Sequence, residues 1–182
     1  LIPYAQLRER GFACIDDGER LCAIEIQERE THVLDDVLAS LPEAALHLCE
    51  GAFDMEDEAY EEAVRRVITD EIGHGEGANF VLKRTYRARL HDYSLTTALA
   101  GFRRLAVQES GAYWTFLVHT GQRSFIGASP ERHVSVEDGV ATMNPISGTY
   151  RYPSTGPTLD GVLDFLTNEK EVDELYMVVD EE

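Results

Sequence analysis

Apolar positions along this chain follow two rhythms, one of period two and one of period three to four. Leu21–Gln27 (LCAIEIQ) alternates and predicts a short strand, and Leu46–Phe53 predicts a second. Beyond Asp54 an acidic run, Glu56–Glu62, leads into AVRRVITDEI. There Ala63, Val64, Val67, Ile68 and Ile72 recur at helical spacing. Asp54 is expected to cap this helix, since a side-chain oxygen satisfies free N–H groups and acidic residues suit the positive end of the dipole. Gly73, Gly75 and Gly77 end it. Asn79–Leu90 alternates as a strand, and Ser94–Gln108 is helical with Leu95, Leu99, Phe102 and Leu105 along one stripe. Four strands are predicted next, at Tyr113–Thr120, Ser124–Ala128, His133–Val136 and Val140–Met143, with turn chemistry at Gly121-Gln122 and Asp138-Gly139. A Pro-, Gly- and Ser-rich loop covers Asn144–Pro157, and Thr158–Leu166 and Asn168–Glu182 read as helices. The expected class is α+β with largely antiparallel pairing.

Charge narrows the choice of partners. Thirty-four acidic against 16 basic residues give a net charge of −18, which repels phosphate backbones and anionic lipid. Neither nucleic acid nor a membrane is an expected partner, and no apolar run approaches the ~18 residues of a membrane helix. The same field repels an anionic substrate unless a cation or a local basic group offsets it. Cys14, Cys22 and Cys49 form no C-x-x-C pair, which suits reduced thiols in a cytoplasmic protein.

Several motifs fail on context. The glycines at 73, 75 and 77 follow a helix and precede a strand, the reverse of a dinucleotide-binding loop. Gly127-Ala-Ser-Pro-Glu131 is no nucleophile elbow, because the last position is glutamate and a proline removes the N–H an oxyanion hole needs. The six histidines (32, 47, 74, 91, 119 and 133) never show H-E-x-x-H spacing.

Three segments remain that fold alone does not explain. They are Phe125-Ile-Gly-Ala-Ser-Pro-Glu131-Arg132, Asn144-Pro-Ile-Ser-Gly148-Thr149-Tyr-Arg-Tyr152, and Asn168-Glu-Lys-Glu-Val-Asp-Glu174-Leu-Tyr-Met-Val-Val-Asp180. In this order they resemble the chorismate-utilising enzymes, the family of anthranilate, aminodeoxychorismate and isochorismate synthases. Gly75-Glu-Gly-Ala-Asn-Phe-Val81, Gly111-Ala-Tyr-Trp-Thr-Phe116 and Leu1-Ile-Pro-Tyr4 extend the likeness over essentially the whole chain. The wording is nearest the aminating, phenazine-type branch of the family.

The resemblance implies the two-sheet antiparallel β-sandwich of these enzymes, with helices outside. Residues 1–182 would be an incomplete chorismate-binding domain lacking N- and C-terminal portions. The family's later histidine, second metal-binding glutamate and substrate-gripping arginine have no counterpart here. The implied reaction is amination of chorismate at C2 with glutamine-derived ammonia, giving 2-amino-2-desoxyisochorismate. Alternatives are anthranilate synthase component I, which also eliminates pyruvate, and an inactive fragment. By resemblance Glu131 is the general acid at C4, which requires a carboxyl kept protonated by burial or neighbouring negative charge. On the Ser-Pro-Glu triplet alone it reads first as a surface partner of Arg132 or Arg123. Gly148 and Thr149 would bind chorismate, and on the residues alone the glycine is a plain turn. Glu174 would be a Mg²⁺ ligand, set against an ordinary i, i+4 pair with Lys170.

Asn79 falls where water-using relatives place a lysine base, and an amide cannot deprotonate water. Ala112-Tyr113-Trp114 stands where tryptophan-inhibited members carry P-Y-M, so no such feedback is expected. The resemblance further implies an amidotransferase domain, fused downstream and supplying ammonia, and a homodimer.

Overall fold

The computed structural model describes residues 2–77 and 79–181. A short 3-10 helix, Tyr4–Arg10, is closed by Gly11 at φ 87°, and residues 13–33 follow without regular structure. Then come α1 (Leu34–Ser40), β1 (Leu48–Phe53), α2 (Asp57–Arg66), β2 (Tyr86–Leu90) and α3 (Leu95–Gln108). Two hairpins follow, β3 (Trp114–His119) with β4 (Ser124–Ser129) and β5 (Arg132–Glu137) with β6 (Val140–Asn144). The chain ends in α4 (Leu159–Leu166) and α5 (Glu169–Glu181).

The three ladders among the described residues are antiparallel pairs, β1–β2, β3–β4 and β5–β6. The α+β class is thus observed. Among the described residues the pairs remain separate and do not join into the two-sheet sandwich that the resemblance implies. Local chemistry explains each hairpin. Asp138 and Gly139 both take positive φ, 51° and 79°, as the turn between two right-twisted strands demands. In β3–β4, Phe116 lies opposite Gly127, whose missing side chain leaves the ring room to cross the ladder. In β1 a bulge between Cys49 and Ala52 puts Glu50 at φ 53°.

The best-packed region lies where α3 meets the β3–β4 hairpin. Ser94 starts α3 with a reciprocal cap: its hydroxyl accepts from Thr97 N at 3.3 Å, and Ser94 N donates to Thr97 Oγ1 at 2.9 Å. The deepest residues are Ala98 and Ala100, with Leu99, Phe102 and Leu105 half-buried and Leu95 exposed. Small side chains let the helix approach closely, and a Cβ on Gly101 would stand 3.3 Å from Ile126 Cδ1. Arg103 fastens the preceding segment, donating to Leu38 O at 3.0 Å and pairing with Glu43.

Three expectations need correction. Leu21–Gln27 is no strand; Leu21, Ile24 and Ile26 lie open to solvent, because alternation makes a strand only beside a free sheet edge. Asn79–Leu90 forms a ladder only from Tyr86 onward. Asp54 does not cap α2. Its carboxylate accepts from Thr85 N at 2.9 Å while its own N–H donates to Thr85 O at 2.8 Å, and Glu56 holds the cap position with no side-chain bond. α1, only seven residues long, has no counterpart among the elements the pattern predicts.

Apolar surface is abundant. The chain exposes 15278 Å², where a compact monomer of 20.4 kDa exposes about 8,800 Å² by size scaling. Trp114, Val136, Leu159, Leu166 and Leu175 all stand at least half exposed, so hairpins and C-terminal helices present uncovered apolar faces.

Candidate active site

The loop that leaves β6 runs from 145 to 157 and returns to α4. Aromatic stacking docks it on α4. Tyr150 lies 5.8 Å from Phe165 and 5.4 Å from Tyr152 between ring centroids, and its hydroxyl sits against Gly161, where a Cβ would collide with it. Thr158 caps α4 by accepting from Gly161 N at 3.1 Å.

Glu131 occupies the tight link between β4 and β5. Ser129 shapes that link, its hydroxyl donating to Glu131 O at 2.9 Å. The Glu131 carboxylate accepts from Ile146 N at 3.4 Å, a long bond that ties it to the loop. Neither surface partner that the residues suggested is used. Arg123 pairs with Glu19 at 2.7 Å, and the Arg132 guanidinium lies 4.6 Å from the centre of the Tyr113 ring. Arg132 Nε is buried with no acceptor among the described residues. Glu131 is exposed, so the burial a general acid requires is not present around it here.

Gly148 is half-buried and faces α5 rather than solvent. A Cβ on it would overlap Glu171 Oε2 and stand 3.0 Å from Phe165 Cζ. That makes the glycine a close approach of backbone to carboxylate, more than a plain turn. Thr149 is exposed, and no hydrogen bond occupies its hydroxyl among the described residues. Its free hydroxyl and N–H suit an anion.

On α5, Glu171 and Glu174 lie three residues apart and therefore on one face. Lys170 bridges them, with Nζ 2.6 Å from Glu174 Oε2 and 3.1 Å from Glu171 Oε1. The Lys170–Glu174 pair anticipated as the ordinary alternative is therefore present. Hydrogen bonds first from Glu174 and then from Glu171 hold the ammonium above the usual lysine range. Glu171 Oε2 is buried with no hydrogen-bond partner among the described residues. Glu171 escaped the motif reading because its position signals only a surface charge beside Lys170; the orphan oxygen needs coordinates to be seen.

A path runs from Glu131 to Ile146, along the loop backbone to Gly148, and by contact to Glu171, Lys170 and Glu174. A cavity of about 230 Å³ lies elsewhere, against α3, lined by Pro42, Glu43, Ala44, Ala100, Arg103 and Arg104. Asn79 is exposed in a stretch without regular structure. Leu1, Ala78 and Glu182, which belong to the matching segments or the last helix pattern, lie outside the described residues.

The pattern of the chorismate binding enzyme family matches residues 12–182. The chain belongs to that family. Two relatives share one name, "Anthranilate synthase, phenazine specific". The protein of Pseudomonas fluorescens is 57% identical over 182 residues, and that of Pseudomonas chlororaphis 54%. Each alignment covers 100% of this chain, which spans only 29% of either relative. Among the described residues of this family member, no helix is long and apolar enough to cross a membrane. No group of three or more His, Cys, Asp or Glu side chains converges there on a possible metal position.

Proposed function

We propose that the protein is a magnesium-dependent synthase that aminates chorismate at C2 with glutamine-derived ammonia, yielding 2-amino-2-desoxyisochorismate for phenazine biosynthesis. The contact path joining Glu131, the Ile146–Thr149 loop and the Glu171–Glu174 face carries this proposal, in a chain that belongs to the chorismate binding family. The relatives' phenazine-specific name favours the pathway.

The residues fit a hard divalent ion. Magnesium usually takes one or two carboxylates and leaves its other positions to water and substrate. Glu174 would hold it, with Glu171, whose Oε2 lacks a partner, beside it. When bound, the ion supplies the positive charge that anchors a ring carboxylate within a chain of net charge −18.

The chain's own groups do the rest. Thr149 donates its hydroxyl and N–H to a substrate carboxylate. Glu131 holds a proton at the C4 hydroxyl, which leaves as water while ammonia bonds to C2 and the ring double bond shifts. The surplus proton on the new amine returns to the Glu131 carboxylate, so chorismate and ammonia give product and one water. Glu131 is open to solvent, so this role needs the carboxyl enclosed by substrate and neighbouring chain. Asn79 belongs with ammonia as nucleophile, since an amide cannot activate water.

The remaining parts of the proposal extend past these 182 residues. They are a fused glutamine amidotransferase domain, a homodimer, a cytoplasmic location, and a two-sheet sandwich in which the three ladders find neighbours. The exposed apolar faces support a larger fold, and the 182 residues alone are proposed to be insufficient for turnover. A second reading, anthranilate synthase with pyruvate elimination, is favoured by the first words of the relatives' name. Mass spectrometry of products from full-length protein given chorismate, glutamine and magnesium decides between them. The aminated product with its enolpyruvyl group intact is expected; fluorescent anthranilate supports the second reading, and unchanged chorismate refutes both.

A further inference from the structure

The two carboxylates on the inner face of α5 are brought together by a cation from their own helix. Glu171 and Glu174 side chains are each 20% exposed, a setting in which two neighbouring negative charges repel and lose hydration. Lys170 lies over them from the solvent side, itself 67% exposed, with one ammonium donating to one oxygen of each. Its hold is lopsided, since Glu171 Oε2 points at Gly148 and stays unbonded. A divalent ion entering between these carboxylates meets a space already taken by positive charge.

We propose that Lys170 is a displaceable counter-ion, holding Glu171 and Glu174 together until a divalent cation replaces its ammonium and releases the lysine to solvent. This rests on the magnesium reading of Glu174. Lysine suits the task, being a compact charge on a flexible stem, whereas a planar guanidinium would lock to a carboxylate. The device keeps two like charges side by side without metal, at the expense of metal affinity. It also links occupancy to the substrate loop, because Glu171 is the residue against which Gly148 packs.

The test uses the full-length polypeptide and Mn²⁺ alone, an oxygen-seeking ion visible by electron paramagnetic resonance. Lys170→Met is expected to bind Mn²⁺ at least about fivefold more tightly, the direction Coulomb's law gives for removing a unit charge a few ångströms from a divalent ion. Lys170→Arg, which keeps the charge, should stay at or below wild-type affinity. In wild-type protein, labelling of Lys170 by an amine-reactive reagent should rise on Mn²⁺ addition. Lys83, the other lysine of these 182 residues, serves as internal control. This labelling stands even where Lys170→Met fails to fold. If Mn²⁺ binding is lost in Glu174→Gln, yet Lys170→Met binds no more tightly and Lys170 labelling is unmoved, the counter-ion role is wrong and the magnesium reading survives. If Mn²⁺ does not bind, or binds equally to Glu174→Gln, both fall.

Discussion

Replacing Gly148 by alanine probes the junction between the substrate loop and α5. The added Cβ would overlap Glu171 Oε2 and lie 3.0 Å from both Glu171 Cδ and Phe165 Cζ. The two neighbours respond differently. Glu171 ends in a flexible arm that can swing away, giving up a solvent-screened pair with Lys170 worth well under about 1 kcal/mol. Phe165 is braced by Tyr150 and yields less. Overpacking costs about 1–3 kcal/mol in closed cores, and this half-buried site belongs near the lower end. About 1 kcal/mol corresponds to a melting shift of roughly 2–4 °C for a domain of this size. Full-length Gly148→Ala should therefore melt slightly lower while losing Mn²⁺ affinity more clearly, because the displaced carboxylate no longer sits beside Glu174. Thermal denaturation and Mn²⁺ titration, repeated in a Glu171→Ala background, complete a double-mutant cycle. Removing Glu171 should relieve the overlap and give a coupling of about 0.5 kcal/mol or more. An equal cost in both backgrounds would falsify the packing described for Gly148.

Three other outcomes are expected. Glu131→Gln should reduce kcat by about 10²–10⁴-fold with an unchanged melting temperature, since the amide oxygen still accepts from Ile146 N; full activity would remove Glu131 from the chemistry. Ser94→Ala should cost about 0.5–2 kcal/mol of stability by opening the cap on α3, and Ser94→Asp should restore much of it in thermal melts. Asp54 is held below its ordinary 3.8, first by the Thr85 N–H. A depressed carboxylate stabilises the fold fully above 3.8 and loses that contribution as pH falls through its lower folded value. Acid unfolding followed by circular dichroism should accordingly lose slope below pH 3.8 in Asp54→Asn, and an unaltered curve would discount the Thr85 bond.

Local signals proved sufficient wherever a structure is closed by neighbours in the chain. Ser94 announces α3, Asp138-Gly139 its hairpin and Thr158 the start of α4, because each satisfies backbone groups within a few residues. The ordered segments around Glu131, Gly148 and Glu174 likewise pointed to the family that residues 12–182 match. Tertiary structure alone decided what depends on remote neighbours. Leu21–Gln27 has a strand's alternation but no edge to pair with, and Asp54 serves Thr85, 31 residues away, instead of the helix beside it. On α3 the rhythm found Leu99, Phe102 and Leu105, which are half-buried, but only packing showed that Ala98 and Ala100 go deepest and that Leu95 stays open. Glu171 reads in the sequence as one more charge in an acidic helix; only its unbonded oxygen against Gly148 shows where that charge points.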